Sequence, residues 1–126
     1  TFLPAMIAAG SGCIVNIGST AGIKGGHTRA AYCAAKAGVV NLSRSLALDH
    51  GGDGVRVCCV CPGLIDTPMA DWITSRPDAI AEFEQSIPAR RIGTIDDVAG
   101  AVSFLASDAA DYMHGAVMVV DGGVSA

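Results

Sequence analysis

Val55-Arg56-Val57-Cys58-Cys59-Val60-Cys61-Pro62-Gly63 is the stretch whose reading decides the fold. Every residue from Val55 to Cys61 except Arg56 is apolar, and the run is too continuous for the in-out alternation of a half-solvated hairpin strand. It suits a strand covered on both faces, as in a parallel sheet. Pro62 has no N–H to extend a ladder and Gly63 permits a sharp turn, so the strand is read as Val55 to Cys61. Working outward, Cys13-Ile14-Val15-Asn16-Ile17 and Val117-Met118-Val119-Val120 are two further short strands, the last stopped by Asp121-Gly122-Gly123.

The intervening segments have helical spacing. Gly18 to Gly26 reads as a loop, and Arg29 to His50 as a long helix ended by Gly51-Gly52. Its alanines (Ala30, Ala31, Ala34, Ala35, Ala37) predict close neighbours and burial on more than one side. Pro68 to Pro88 carries Trp72, Phe83 and scattered charge without one clean period, which predicts short lid-like helices. Thr94-Ile95-Asp96-Asp97 is an N-cap followed by acidic residues, opening a helix that runs to about Ser107. At the start of the chain, Phe2, Leu3, Met6 and Ile7 share one face of a helical stub with no N-cap before it, as if the element had been cut. Strands alternating with helices predict an α/β fold with right-handed crossovers and a three-stranded parallel sheet. Ligands of such sheets sit beyond the carboxyl ends of the strands, here the loops opening at Gly18, Pro62 and Asp121.

Composition excludes several classes. By length alone, 126 residues suggest one domain, and 51% hydrophobic against 16% charged residues excludes a disordered tail. No apolar run is long enough to span a bilayer. Twelve Asp and Glu against eight Lys and Arg give a net charge of −4, the wrong sign for nucleic acid. Sixteen glycines exceed the usual share of about 7% and fall between the apolar runs, as turns at element ends. Five cysteines, an odd number in apolar segments, point to a reducing, cytoplasmic setting. Strand alternation sends Cys58 to one face and Cys59 with Cys61 to the other, so no metal site is expected.

Tyr32 and Lys36 lie four apart on the long helix and therefore on one face. An ammonium beside a phenol favours the phenolate, one way to make a competent acid or base. Such a pair is common by chance on any helix. Its context is not: Ser19 follows the first strand in a ligand-facing loop, and Thr67 lies four residues beyond Gly63 in another.

Together these residues resemble the short-chain dehydrogenase/reductases. The matching segments are Asn16-Ile17-Gly18-Ser19, Tyr32-x-x-x-Lys36, Cys61-Pro62-Gly63-Leu64-Ile65-Asp66-Thr67-Pro68, Arg91-Ile92-Gly93 with Asp97-Val98-Ala99, and Val120-Asp121-Gly122-Gly123. The resemblance implies a Rossmann-like doubly wound sheet and an NAD- or NADP-dependent oxidoreductase interconverting a secondary alcohol and a ketone. Tyr32 would be the general acid/base and Ser19 would hydrogen-bond the substrate oxygen. Lys36 would hold the nicotinamide ribose and favour the Tyr32 phenolate. Pro62, Gly63, Ile65 and Thr67 would lie against the cofactor with Tyr32 and Lys36. The family's glycine-rich dinucleotide fingerprint and its Asn-Asn-Ala-Gly stretch have no match. Residues 1–126 are therefore expected to be the catalytic and substrate-binding C-terminal half of one NAD(P)-binding domain, corrected from the complete domain that length suggested. The family builds dimers and tetramers from the Tyr-bearing helix and the last helix and strand, so a homo-oligomer is expected. From a different class, the chain would be a catalytically incomplete assembly piece. His27 reads as a solvated loop histidine, and Arg90 and Arg91 as solvated charges. Met69, Trp72 and Ile73 read equally as an apolar lid or as a cover for the sheet edge.

Overall fold

The computed structural model describes residues 2–126. Three parallel strands, β1 (Gly12–Ile17), β2 (Val55–Pro62) and β3 (Val117–Val120), lie in the order β1-β2-β3. Five helices accompany them: α1 (Leu3–Ala9), α2 (Ala30–His50), α3 (Asp71–Thr74), α4 (Pro77–Ser86) and α5 (Ile95–Ala106). β2 is central, paired with β1 from Gly12↔Val55 to Ile17↔Val60 and with β3 from Cys59↔Val117 to Pro62↔Val120. Val55 to Cys61 is buried throughout, as its continuous apolar character requires. Pro62 still pairs with Val120, one residue beyond the expected end, because the sheet edge ends there and asks no further donor of it.

The two faces of β2 divide by parity. Cys58 and Val60 pack with Leu105 of α5 and Ala110. Cys59 and Cys61 pack with Val40 of α2, and Val55 and Val57 with Ala47 and with Leu3, Met6 and Ile7 of α1. The separation of Cys58 from Cys59 and Cys61 thus follows the alternation expected of a strand. Arg56 shares the parity of Cys58 and is buried, its guanidinium donating to the Leu105 carbonyl at 2.8 Å and the Ser107 carbonyl at 3.2 Å. These are carbonyls from the last turn of α5, which a helix leaves without an internal partner.

Two expectations are corrected. Phe2 does not share the buried face of α1; it lies at the N-cap and is exposed, while Leu3, Met6 and Ile7 turn inward. The long helix α2 is buried along one stripe only, Val40, Ser43 and Ala47. This is the spacing of one helical face, and Ala30, Ala31, Ala34, Ala35, Ala37, Leu42 and Leu48 remain exposed because the sheet lies on one side of the helix alone.

Candidate active site

The loop after β1 is held over β2 by main-chain proximity. Gly18 N–H donates to the Val60 carbonyl at 2.7 Å. A side chain at Gly18 would place its Cβ 2.8 Å from Cys61 Sγ and 2.9 Å from Cys59 Sγ, so these buried thiols form the floor beneath the loop. Burial, then the neighbouring Cys59, push the Cys61 thiol up to about 11, with a hydrogen bond from the Ser19 backbone opposing them. Both thiols serve here as small packing groups, their sulfurs 4.0 Å apart.

Ser19 is buried and N-caps a 3-10 turn, Thr20–Gly22, its Oγ accepting from Ala21 N–H at 3.1 Å. That bond uses an acceptor lone pair and leaves the hydroxyl proton to donate. The turn then seats directly on α2: a Cβ on Gly22 would fall 2.7 Å from both the carbonyl carbon and the carbonyl oxygen of Lys36. Lys36 Nζ donates to the Ile17 carbonyl at 3.0 Å, tying the helix to the end of β1 two residues before Ser19. The same ammonium stands 5.9 Å from the Tyr32 ring centroid. Tyr32 itself is 39% exposed, so its phenol is open to a ligand. Lys36 is thus tied to the end of β1 with the Tyr32 ring beside its ammonium, and Ser19 follows that strand end by two residues.

Pro62, Gly63, Ile65 and Thr67 follow the neighbouring strand. Gly63 N–H donates to the Val120 carbonyl at 2.9 Å, which holds the β2 exit against the β3 exit. Ile65 forms an isolated parallel bridge with Gly93, reinforced by Asp66 N–H to Gly93 O at 2.8 Å and Gly93 N–H to Leu64 O at 3.1 Å. This bridge clamps the two stems of a helical excursion containing α3 and α4. Thr67 makes its own hydrogen bond inside the stem, to the Ile65 carbonyl at 3.4 Å. A cavity of about 90 Å³ lies behind the clamp, lined by Leu64, Ile65, Ile87, Arg91, Asp97 and Asp121 among others, and Ser19, Tyr32 and Lys36 do not line it. Within the excursion Ile73 is fully buried, whereas Met69 and Trp72 are exposed, Trp72 meeting the Phe83 ring edge-on at 6.3 Å. Ile73 thus anchors the excursion, and the other two form its open apolar surface.

Several residues carry more than their sequence reading assigned. Arg91 is not merely solvated: its guanidinium grips Asp97 through two bonds of 2.6 and 2.8 Å, and Asp97 completes a capping box with Thr94 at the start of α5. The Arg91 hydrogen bond, then those from Thr94, hold the Asp97 carboxyl well below the usual carboxylate range. At the β3 exit, Asp121 accepts from Gly123 N–H at 2.9 Å, Ser125 N–H at 2.8 Å and the Ser125 hydroxyl. Burial pushes the Asp121 carboxyl up, and these bonds outweigh it, leaving it below its ordinary value. Lys24 Nζ reaches the Val124 carbonyl at 3.2 Å, joining the Ser19 loop to the chain's last turn. The glycine surplus signalled close approaches in general, but no local pattern marked Gly22 as the one that touches Lys36.

The family model described as enoyl-(acyl carrier protein) reductase matches residues 1–125. The fold superimposes on an oxidoreductase of the short-chain dehydrogenase/reductase family from Burkholderia thailandensis at a TM-score of 0.91, with 40% identity, over 97% of this chain and 48% of that one. The chain belongs to the short-chain dehydrogenase/reductase family. Among other relatives of this short-chain dehydrogenase/reductase, the 2-(R)-hydroxypropyl-CoM dehydrogenase of Xanthobacter autotrophicus is 43% identical over 98% of the chain and 50% of its own length. A solved structure described as an NAD(P)-dependent gluconate 5-dehydrogenase from Beutenbergia cavernae, with bound NADP at low occupancy, matches at a TM-score of 0.93. It is 45% identical and covers 98% of this chain and 49% of its own. The chain spans about half the length of the relatives it matches. Among the described residues, no helix is long and apolar enough to cross a membrane.

Proposed function

We propose that this chain supplies the catalytic and substrate-binding half of an NAD(P)-dependent oxidoreductase that interconverts a secondary alcohol and a ketone. The observation that carries the reading is Lys36, whose ammonium is fixed on the Ile17 carbonyl and stands beside the Tyr32 ring at the end of β1. The residues present fit a nicotinamide cofactor on chemical grounds. An ammonium has three N–H donors, and the Ile17 bond uses one, leaving two for ribose hydroxyls. Tyr32, Lys36, Pro62, Gly63, Ile65 and Thr67 would hold the cofactor, and its nicotinamide ring supplies the hydride acceptor or donor. In the oxidative direction the Tyr32 phenolate takes the hydroxyl proton as the carbinol hydride leaves; in reduction the phenol returns that proton to the carbonyl oxygen. Ser19 donates its free proton to the same oxygen and steadies the charge developing there.

Hydride transfer followed by nicotinamide absorbance tests this in the whole protein, with Tyr32→Phe as the variant. Loss of a general acid/base typically costs about 100- to 10,000-fold in rate. Equal turnover by the variant refutes the assignment. A reducing, cytoplasmic setting belongs to the same proposal, resting on an odd number of cysteines placed in apolar segments. A second reading, an assembly role, is favoured by the uncovered alanine face of α2 with Leu42 and Leu48, and as a surface for a homo-oligomer, dimer or tetramer, it is compatible with catalysis. Tight dinucleotide binding seen by calorimetry counts against a purely structural role.

A further inference from the structure

We propose that Asp121 is a positioning residue for Ser19, acting through the turn it folds after β3 and the Lys24 side chain that this turn holds. The inference rests on the reading of Ser19 as the donor to the reacting oxygen, and adds a residue that reaches that oxygen only through others. It begins at the turn itself. The Asp121 carboxylate accepts from Gly123 N–H at 2.9 Å, from Ser125 N–H at 2.8 Å and from the Ser125 hydroxyl, so one side chain gathers residues 122–125 around it. Gly122 and Gly123 take φ of 65° and 93°, the left-handed region that lets the backbone curl back onto the carboxylate. Val124 N–H closes the turn on the Asp121 carbonyl at 3.4 Å.

The Val124 carbonyl, held in that turn, accepts from Lys24 Nζ at 3.2 Å, a contact between residues 100 positions apart. Lys24 is in turn part of the Ser19 unit. Its own N–H and that of Ile23 donate to the Thr20 carbonyl at 3.0 and 3.1 Å, and Gly22 N–H donates to the Ser19 carbonyl at 2.8 Å. Ser19 Oγ accepts from Ala21 N–H within the same unit. The bonds thus run unbroken from the Asp121 carboxylate to Ser19, a contiguous network of the kind that carries a displacement from one end to the other. Burial pushes the Asp121 carboxyl up, while the Ser125 and Gly123 bonds and the Lys24 charge hold it below its ordinary value, so the charged form that folds the turn persists.

Further contacts make Asp121 the fixed end of this network. A Cβ on Gly63 would fall 2.7 Å from Asp121 Cβ, so Asp121 is pressed against the β2 exit. On the other side, Ala89 N–H donates to the Gly122 carbonyl at 3.0 Å, and a Cβ on Gly123 would lie 3.1 Å from the Pro88 ring. The Ser19 loop, by contrast, is exposed at Lys24 and rests on the Lys36 backbone at Gly22. The Lys24 tether holds it down from the side away from that seat. Without the tether the turn is free to lift, and since a misplacement near 1 Å costs as much as about 100-fold, a smaller one still lowers the chemical step. Neither Asp121 nor Lys24 is assigned to cofactor or substrate, so KM should change little.

The test is a double-mutant cycle in the whole protein with Asp121→Asn, Lys24→Met and the two combined. It is read by oxidation of cyclohexanol and isopropanol with NAD or NADP and, independently of turnover, by amide hydrogen exchange of residues 19–24. Each single variant is expected to lower kcat about 3- to 10-fold with KM nearly unchanged, and to speed exchange of residues 19–24 by a similar factor while residues 55–60 exchange as in wild type. The double variant should lose no more than the worse single one, because both substitutions cut the same network. Lys24→Arg should restore kcat. Ser125→Ala, which removes only the hydroxyl donor, takes the place of Asp121→Asn in the cycle if that variant does not fold. Single effects that multiply in the double variant, or exchange at residues 19–24 that neither variant changes, overturn this inference alone. Exchange that rises while kcat holds, with Tyr32→Phe inactive, overturns it as well. Full turnover by Tyr32→Phe, or no turnover of either alcohol by wild type, overturns the active-site reading and this inference with it.

Discussion

Gly22→Ala probes how the Ser19 loop is seated on the Tyr32 helix. The new Cβ would meet Lys36 C and O at 2.7 Å and Ala37 N at 3.0 Å. These are backbone atoms inside a helix of 21 residues, so no side chain can swing aside. Ordinary contact begins near 3.4 Å, and the turn must lift by about 0.7 Å. Two effects oppose one another. Gly22 is not in a left-handed conformation, so alanine would by itself stabilise by about 0.4–1 kcal/mol through the unfolded chain. Overpacking against a fixed backbone costs about 1–3 kcal/mol and wins. The lift also moves Ser19 relative to Tyr32, and a misplacement near 1 Å costs as much as about 100-fold in catalysis. The expected result is therefore a lower thermal midpoint and a fall in kcat/KM of about 10- to 100-fold, most of it in kcat. A variant that melts at or above the wild-type temperature with full activity would show that the turn does not rest on Lys36.

Two further tests address the ends of α5. Arg56→Met removes the donors that satisfy the Leu105 and Ser107 carbonyls, and should cost about 1–3 kcal/mol in the urea midpoint; an unchanged midpoint refutes the role. At the other end, the Asp97 carboxyl titrates below its unfolded value, so the stability it contributes is complete above about pH 4 and disappears as pH falls through the depressed folded value. The melting difference between wild type and Asp97→Asn should accordingly be constant from neutral pH down to about 4 and shrink below it. A difference that persists unchanged into strong acid contradicts the Arg91 and Thr94 bonds.

Much of this architecture was legible because it rests on features the sequence states locally. The unbroken burial of Val55 to Cys61, the capping box from Thr94 to Asp97 and the helical spacing of Tyr32 and Lys36 each follow from a few adjacent residues. The errors share a physical origin. Alanine at Ala30, Ala31, Ala34 and Ala35 permits close packing but does not compel it, so a burial inferred from small residues failed where the sheet lies only on the Val40, Ser43 and Ala47 side. Arg91 looked like loose charge because its partner Asp97 is six residues away across a turn whose shape is fixed by the Ile65–Gly93 bridge. Composition can flag such a residue but cannot pair it.

The contacts that hold the site explain why its chemistry was easier to read than its support. Ser19, Tyr32 and Lys36 announce themselves through functional groups. Their relative placement depends instead on residues that lack side chains: Gly18 lies over the Cys59 and Cys61 thiols, and Gly22 lies over the Lys36 backbone. A thiol pushed up to about 11 by burial remains neutral at physiological pH, so Cys61 places no charge beneath Ser19 to compete with the oxygen that Ser19 would steady. Larger aliphatic residues at Cys59 or Cys61 would keep that neutrality but raise the floor into Gly18. Cys61 is thus suited to this place by size and by a suppressed acidity together, and Cys59 by size.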